Sequence, residues 1–152
     1  MTTALLNCVE PVLRGEVESN AITNIPYAVF LGLEAFRLPN EEIAVRMPFK
    51  DALIGSPSPP RLHGGTVGAL LEFAGTMSVA LAAREAASAP LESIPKTIGI
   101  TIEYMRGGAT QDIYASAQVL RLGRRVANVR ATAWQDSFEK PNATASMHFL
   151  MP

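Results

Sequence analysis

The sequence predicts an α+β domain in which a six-stranded antiparallel sheet wraps one long internal helix. Three observations carry this. Residues 61–84, RLHGGTVGALLEFAGTMSVALAAR, hold a single charged side chain, Glu72, between His63 and Arg84, and a helix apolar on every face belongs in a core or a membrane. After this run the apolar period changes from 3.6 to 2, the spacing of half-buried strands. The strand-like segments that follow are joined by short turns, which favours antiparallel pairing on one helix.

In chain order, residues 1–20 give little periodic signal and read as an arm or a short helix, leaving residues 21–152 as one domain. TNIPYAVFLGL offers a helix: Pro26 suits a first-turn position, Tyr27, Phe30 and Leu31 share a face, and Gly32 lies where it stops. EAFRL and EIAVRMPF read as two strands about a Pro39-Asn40 turn. Residues 50–60 read as a loop, since prolines and glycines crowd its end in SPSPP. The long helix then spans roughly residues 65–87, and residues 88–95 break it. Four strands follow: TIGITIEYM, with Ile98, Ile100, Ile102 and Tyr104 on one side; IYASAQVLRL; VANVRATAWQD, whose small residues suit close helix packing; and ATASMHFLM.

Composition limits the function classes. A net charge of −1 with scattered basic residues indicates neither a nucleic-acid nor a membrane-surface partner. The long helix is tested as a membrane span by its length, but a carboxylate near its centre and strands on its C-terminal side argue against one. The first residues lack a basic region, and Glu10 and Pro11 interrupt their apolar run, unlike a signal peptide. The one cysteine, Cys8, cannot make an internal disulfide and suits a reducing, cytoplasmic setting.

Chemistry concentrates at the start of the long helix. His63-Gly64-Gly65 opens it, and the first N–H groups of a helix have no internal partner and face the positive end of its dipole. Such an end can hold a developing oxyanion; it is also an ordinary glycine-rich start with His63 as a cap. Glu72 can serve as nucleophile or general base beside a water-excluding cleft, or as a structural carboxylate paired to Arg106 or Arg130. Thr76, one turn on and on the same face, can orient that carboxylate or a water. Gly64 and Glu72 of one chain stand about 12 Å apart along the helix at 1.5 Å per residue, too far for one acyl carbonyl to meet both. Two antiparallel helices related by a two-fold axis bring them together, so an active site here is composite and requires at least a dimer.

These residues resemble the hot-dog-fold acyl-CoA thioesterases of the phenylacetate-degradation (PaaI-like) type. The resemblance runs from about Ile25 to Met151. It is carried by HGGTVGALLEFAGT, with an acidic residue nine positions after the histidine, and by TIEYMRGG, residues 101–108. It implies hydrolysis of an acyl-CoA thioester, with the Gly64 N–H polarising the carbonyl, Gly65 beside it, His63 positioning the carbonyl or loop, Glu72 of the neighbouring subunit attacking or activating water, and Thr76 supporting hydrolysis. It implies a homodimer or dimer of dimers, no metal, and no cofactor beyond the CoA of the substrate. Arg106, Arg121, Arg124 and Arg125 are candidates for the CoA phosphates, and Phe73, Met77 and Met105 for an apolar acyl pocket. The family's usual Asn or Gln six residues before the histidine is here Pro57, with Ser56 or Ser58 as possible substitutes, and Glu72 stands where many members have Asp. An acyl-CoA-binding module without turnover is the alternative reading.

Overall fold

The computed structural model describes residues 2–87 and 93–152. The helix break expected over residues 88–95 therefore lies, for residues 88–92, outside the described residues. In order the elements are α1 (Thr2–Leu13), β1 (Ser19–Ala21), α2 (Pro26–Leu31), β2 (Glu34–Arg37), β3 (Ile43–Met47), a 3-10 turn (Asp51–Leu53), β4 (Ile54–Pro57), β5 (Pro60–Leu62), α3 (Gly64–Ala87), β6 (Lys96–Tyr104), β7 (Ile113–Leu122), β8 (Val126–Trp134) and β9 (Ala143–Leu150).

One sheet runs β1-β2-β3-β7-β8-β9-β6 with every pairing antiparallel, and β4-β5 form a separate hairpin. The sheet thus has seven strands, one more than the sequence predicts. The extra strand, β1, is only Ser-Asn-Ala and carries no readable period. The expected loop at residues 50–60 also folds further: prolines, barred from central strands, are tolerated in a two-stranded hairpin where every strand is an edge.

α3 lies across the sheet. Its Leu70, Leu71, Ala74 and Met77 are buried against Ala115, Val129, Ala131, Ala145, Met147 and Phe149. Close approach requires glycine at position 75: a Cβ there would sit 2.5 Å from the Met147 side chain. Strand alternation is interrupted once in β6, where register slips between Thr97 and Gly99. A bulge at this strand glycine removes Ile98 from the expected face and leaves it 56% exposed.

Of the two readings of the first residues, the helix is the one seen. α1 buries Leu5, Leu6, Val9 and Val12 in the common core. Arg37 satisfies its last carbonyls, donating from Nε to Val12 O at 3.1 Å and from Nη2 to Leu13 O at 2.7 Å. In α2 the buried side chains are Ala28 and Leu31. Tyr27 and Phe30, expected to share a face with Leu31, are exposed and stack on each other with ring centroids 6.1 Å apart. The helix closes as predicted on Gly32, at φ 72°.

Candidate active site

The start of α3 is held by four pieces of chain. Leu62 N–H donates to Gly108 O at 2.9 Å and His63 N–H to Leu53 O at 2.8 Å. Gly55 packs on His63 so closely that a Cβ would meet the His63 Cα at 2.6 Å. Behind Gly108, the buried Asn142 accepts from Met105 N–H at 2.8 Å and Arg106 N–H at 3.0 Å through its main-chain oxygen. Gln135 holds the same turn, accepting from Ala109 N–H at 2.8 Å and donating to Ala109 O at 2.9 Å.

At the start of α3 the N–H groups of Gly65, Thr66 and Val67 find acceptors. His63 is the cap: its Nδ1 accepts from Gly65 N–H at 2.9 Å, so the neutral ring carries its proton on Nε2. The His63 carbonyl accepts from Thr66 N–H at 3.0 Å and Val67 N–H at 3.4 Å. The remaining amide, that of Gly64, has no acceptor among the described residues. Gly64 lines a pocket of about 220 Å³ with Leu62, Val67, Tyr104, Met105, Arg106, Gly107, Gly108 and Asn142. Gly64 is thus brought together with Arg106 and Met105, while the Gly65 amide is occupied by His63.

Glu72 lies elsewhere on the same helix, in a pocket of about 440 Å³ with Ala69, Phe73, Thr76, Ile25, Tyr27, Ile94, Pro95, Lys96 and Thr97. Its exposure corrects the expectation of a carboxylate enclosed with the helix, while Ala69, Phe73 and Thr76 beside it are half-buried. Among the described residues Glu72 forms no ion pair, so the pairing with Arg106 or Arg130 is not made. Thr76 shares the pocket, and its hydroxyl donates 2.9 Å to the main-chain carbonyl of Glu72 rather than to the carboxylate.

Other predicted residues scatter. Ser56 is exposed on β4, opposite Arg61. Met77 belongs to the core. Arg124 lines a pocket with Ala83, Ala86 and Ala87 at the far end of α3, about 30 Å along the helix from Gly64. Arg61, not among the predicted residues, lies against Gly107, close to Arg106. Among the described residues no three or more His, Cys, Asp or Glu side chains gather as a metal site needs.

Two hydroxyls at the Gly64 turn were also missed by sequence reasoning. Tyr104 OH donates to Gly64 O at 2.8 Å and Thr66 Oγ1 to His63 O at 2.7 Å. The available signal was the Gly64-Gly68 spacing, one helical turn, which leaves a flat for β6. The Tyr104 ring lies 3.3 Å from a Cβ built on Gly64, and Ile102 Cδ1 2.9 Å from one on Gly68.

The family model described as an acyl-CoA thioesterase N-terminal domain matches residues 55–150. The chain belongs to this family. Its fold is that of the hot-dog thioesterases. A putative thioesterase from Ralstonia eutropha, described as phenylacetic acid degradation-related, is similar at TM-score 0.69 and 22% identity over 95% of this chain and 100% of that one. A Shewanella oneidensis protein related to the thioesterase superfamily matches at TM-score 0.69 and 20% identity over 99% and 97% of the two chains. A Bacillus halodurans protein whose crystal structure was determined with CoA matches at TM-score 0.71 and 16% identity over 99% and 89%. No curated protein matches the chain.

Proposed function

We propose that this thioesterase-family protein hydrolyses acyl-CoA thioesters at a site shared between two copies of the chain. The observation that carries the reading is the division of parts along α3. Gly64, whose N–H is the one first-turn amide without an acceptor among the described residues, and Glu72, which forms no ion pair among them, line different pockets of the chain. A two-fold axis beside α3 places each opposite its counterpart.

In this arrangement the thioester oxygen lies against Gly64 N–H, with the His63 Nε2–H as a further donor nearby. Glu72 of the second subunit either attacks the carbonyl carbon or takes a proton from an attacking water. The developing negative charge on the oxygen is held by an amide fixed before the reaction begins. The carbon–sulfur bond then breaks, CoA leaves as its thiolate and takes up a proton. In the nucleophilic route, water afterwards cleaves the acyl–Glu72 anhydride. The pocket holding Phe73, Ala69 and Ile94 receives the acyl group. Arg106 and Arg61, beside Gly64, meet the CoA phosphates, and Arg124 reaches a CoA only from the far end of a helix.

The second reading, an acyl-CoA-binding module without turnover, is favoured by two features. Pro57 stands where the family has an amide side chain, and the Thr76 hydroxyl is engaged by main chain. Thiol release from short, medium and aryl acyl-CoAs separates the two. Glu72→Gln is expected to lower turnover at least about 100-fold with melting temperature and oligomeric state unchanged. Normal hydrolysis by this variant overturns the assignment of Glu72. Acyl-CoA binding by wild-type protein with no thiol released supports the binding module.

A further inference from the structure

We infer that Thr66 and Tyr104 are positioning residues that fix and polarise the Gly64 N–H, an inference that rests on the hydrolase reading above. The starting point is a hydrogen bond that lands on one particular peptide unit. A Ser or Thr at an N-cap accepts from the first N–H groups, whereas one inside a helix commonly donates back to the i−3 or i−4 carbonyl. Thr66, three residues after the His63 cap, does the latter. Its hydroxyl donates at 2.7 Å to the His63 carbonyl, which already accepts from Thr66 N–H and Val67 N–H. A third donor adds nothing to capping.

That carbonyl belongs to the same peptide unit as the Gly64 N–H. Donors placed on its oxygen draw electron density through the amide and strengthen the N–H as a donor, the cooperativity expected of linked hydrogen bonds. Tyr104 works on the other side of the same residue. Its hydroxyl donates at 2.8 Å to Gly64 O, and its ring packs close enough that a Cβ on Gly64 would meet it at 3.3 Å. The two peptide planes flanking Gly64 are therefore each held by a side-chain hydroxyl. Rotation about the Gly64 backbone, which glycine otherwise permits freely, is blocked. Tyr104 also joins the amide to β6, at the sheet edge.

Thr66→Val keeps the β-branched shape and deletes the hydroxyl; Tyr104→Phe deletes the other and keeps the ring. Each is expected to lower kcat about 5-fold with KM unchanged, and the pair together about 20-fold, the worth of an ordinary hydrogen bond each. Thr66→Ser is expected to restore kcat to near the wild-type value. In 15N-labelled protein the Gly64 amide proton is expected to move upfield in Thr66→Val, a readout independent of activity. Wild-type kcat in both single variants, or a Gly64 amide unmoved by Thr66→Val, overturns the inference and leaves the hydrolase reading standing. Wild-type protein that releases no thiol from any acyl-CoA overturns the hydrolase reading and the catalytic part of this inference with it.

Discussion

The two edges of the sheet differ in how they meet solvent. β1 is three residues long and polar, and Asn20 ties it to α1 by donating 2.7 Å to Cys8 O. Such short, covered strands are how native proteins blunt an edge. β6 is nine residues long, and Ile98, Tyr104 and Met105, on or just beyond it, are each more than half exposed. A long apolar edge left open on a folded protomer is a pairing surface. β6 also carries Tyr104 to the Gly64 turn, and its first residues line the Glu72 pocket. The unprotected edge and the two pockets of the candidate site thus lie along the same strand, and the shared site proposed above predicts that a second copy covers this edge.

The largest expected effect comes from breaking this contrast at β6. Ile98→Glu puts a charge on an already exposed position, so the protomer fold is spared while the seam is not. Analytical ultracentrifugation is expected to show the mass fall to that of one chain, with hydrolysis lost in parallel. Ala21→Glu, on the β1 edge, is expected to change neither. Equal behaviour of the two variants sinks the assignment of β6 as the seam. A smaller effect is expected at Gly55, where an added Cβ meets the His63 main chain rather than a yielding side-chain tip. Gly55→Ala is expected to cost about 1–3 kcal/mol by overpacking, measured by denaturant unfolding, and to lower kcat by shifting the His63 cap.

What the sequence made legible follows from where a period is long enough to read. α3 and its four following strands are each eight residues or longer, and their helix and strand patterns are unambiguous. β1 offers three residues and α2 six, so neither the seventh strand nor the inward side of α2, Ala28 and Leu31 rather than Tyr27 and Phe30, shows in a period. The β4-β5 hairpin was hidden by its prolines. At the site, the residue types and spacing of His63, Gly64 and Glu72 pointed to the helix start and its mid-point. The exposure of Glu72 did not show, because an uncharged run looks the same whether its own sheet or another copy is to cover it. Thr66 and Tyr104 were missed because their hydroxyls act on main-chain oxygens, and residue type says nothing of that.

The smallest expected effect tests the protected side of the molecule. Arg84, near the end of α3, donates 2.7 Å to Glu10 Oε2, joining α1 to the central helix. That hydrogen bond holds the Glu10 carboxyl below its ordinary range, against a smaller opposing effect of burial. A carboxylate depressed in the folded state contributes stability that is fully present above its unfolded pKa. The contribution is lost as the pH falls through the folded value. Both partners keep roughly a third of their side-chain surface exposed, so the pair is worth under about 1 kcal/mol. Glu10→Gln is therefore expected to lower the melting temperature slightly at neutral pH and to leave it equal to wild type in strong acid. Because this contact lies away from β6, oligomeric state and kcat are expected to stay unchanged. A Glu10→Gln variant that dissociates would place part of the seam on α1 and remove the contrast between the two edges.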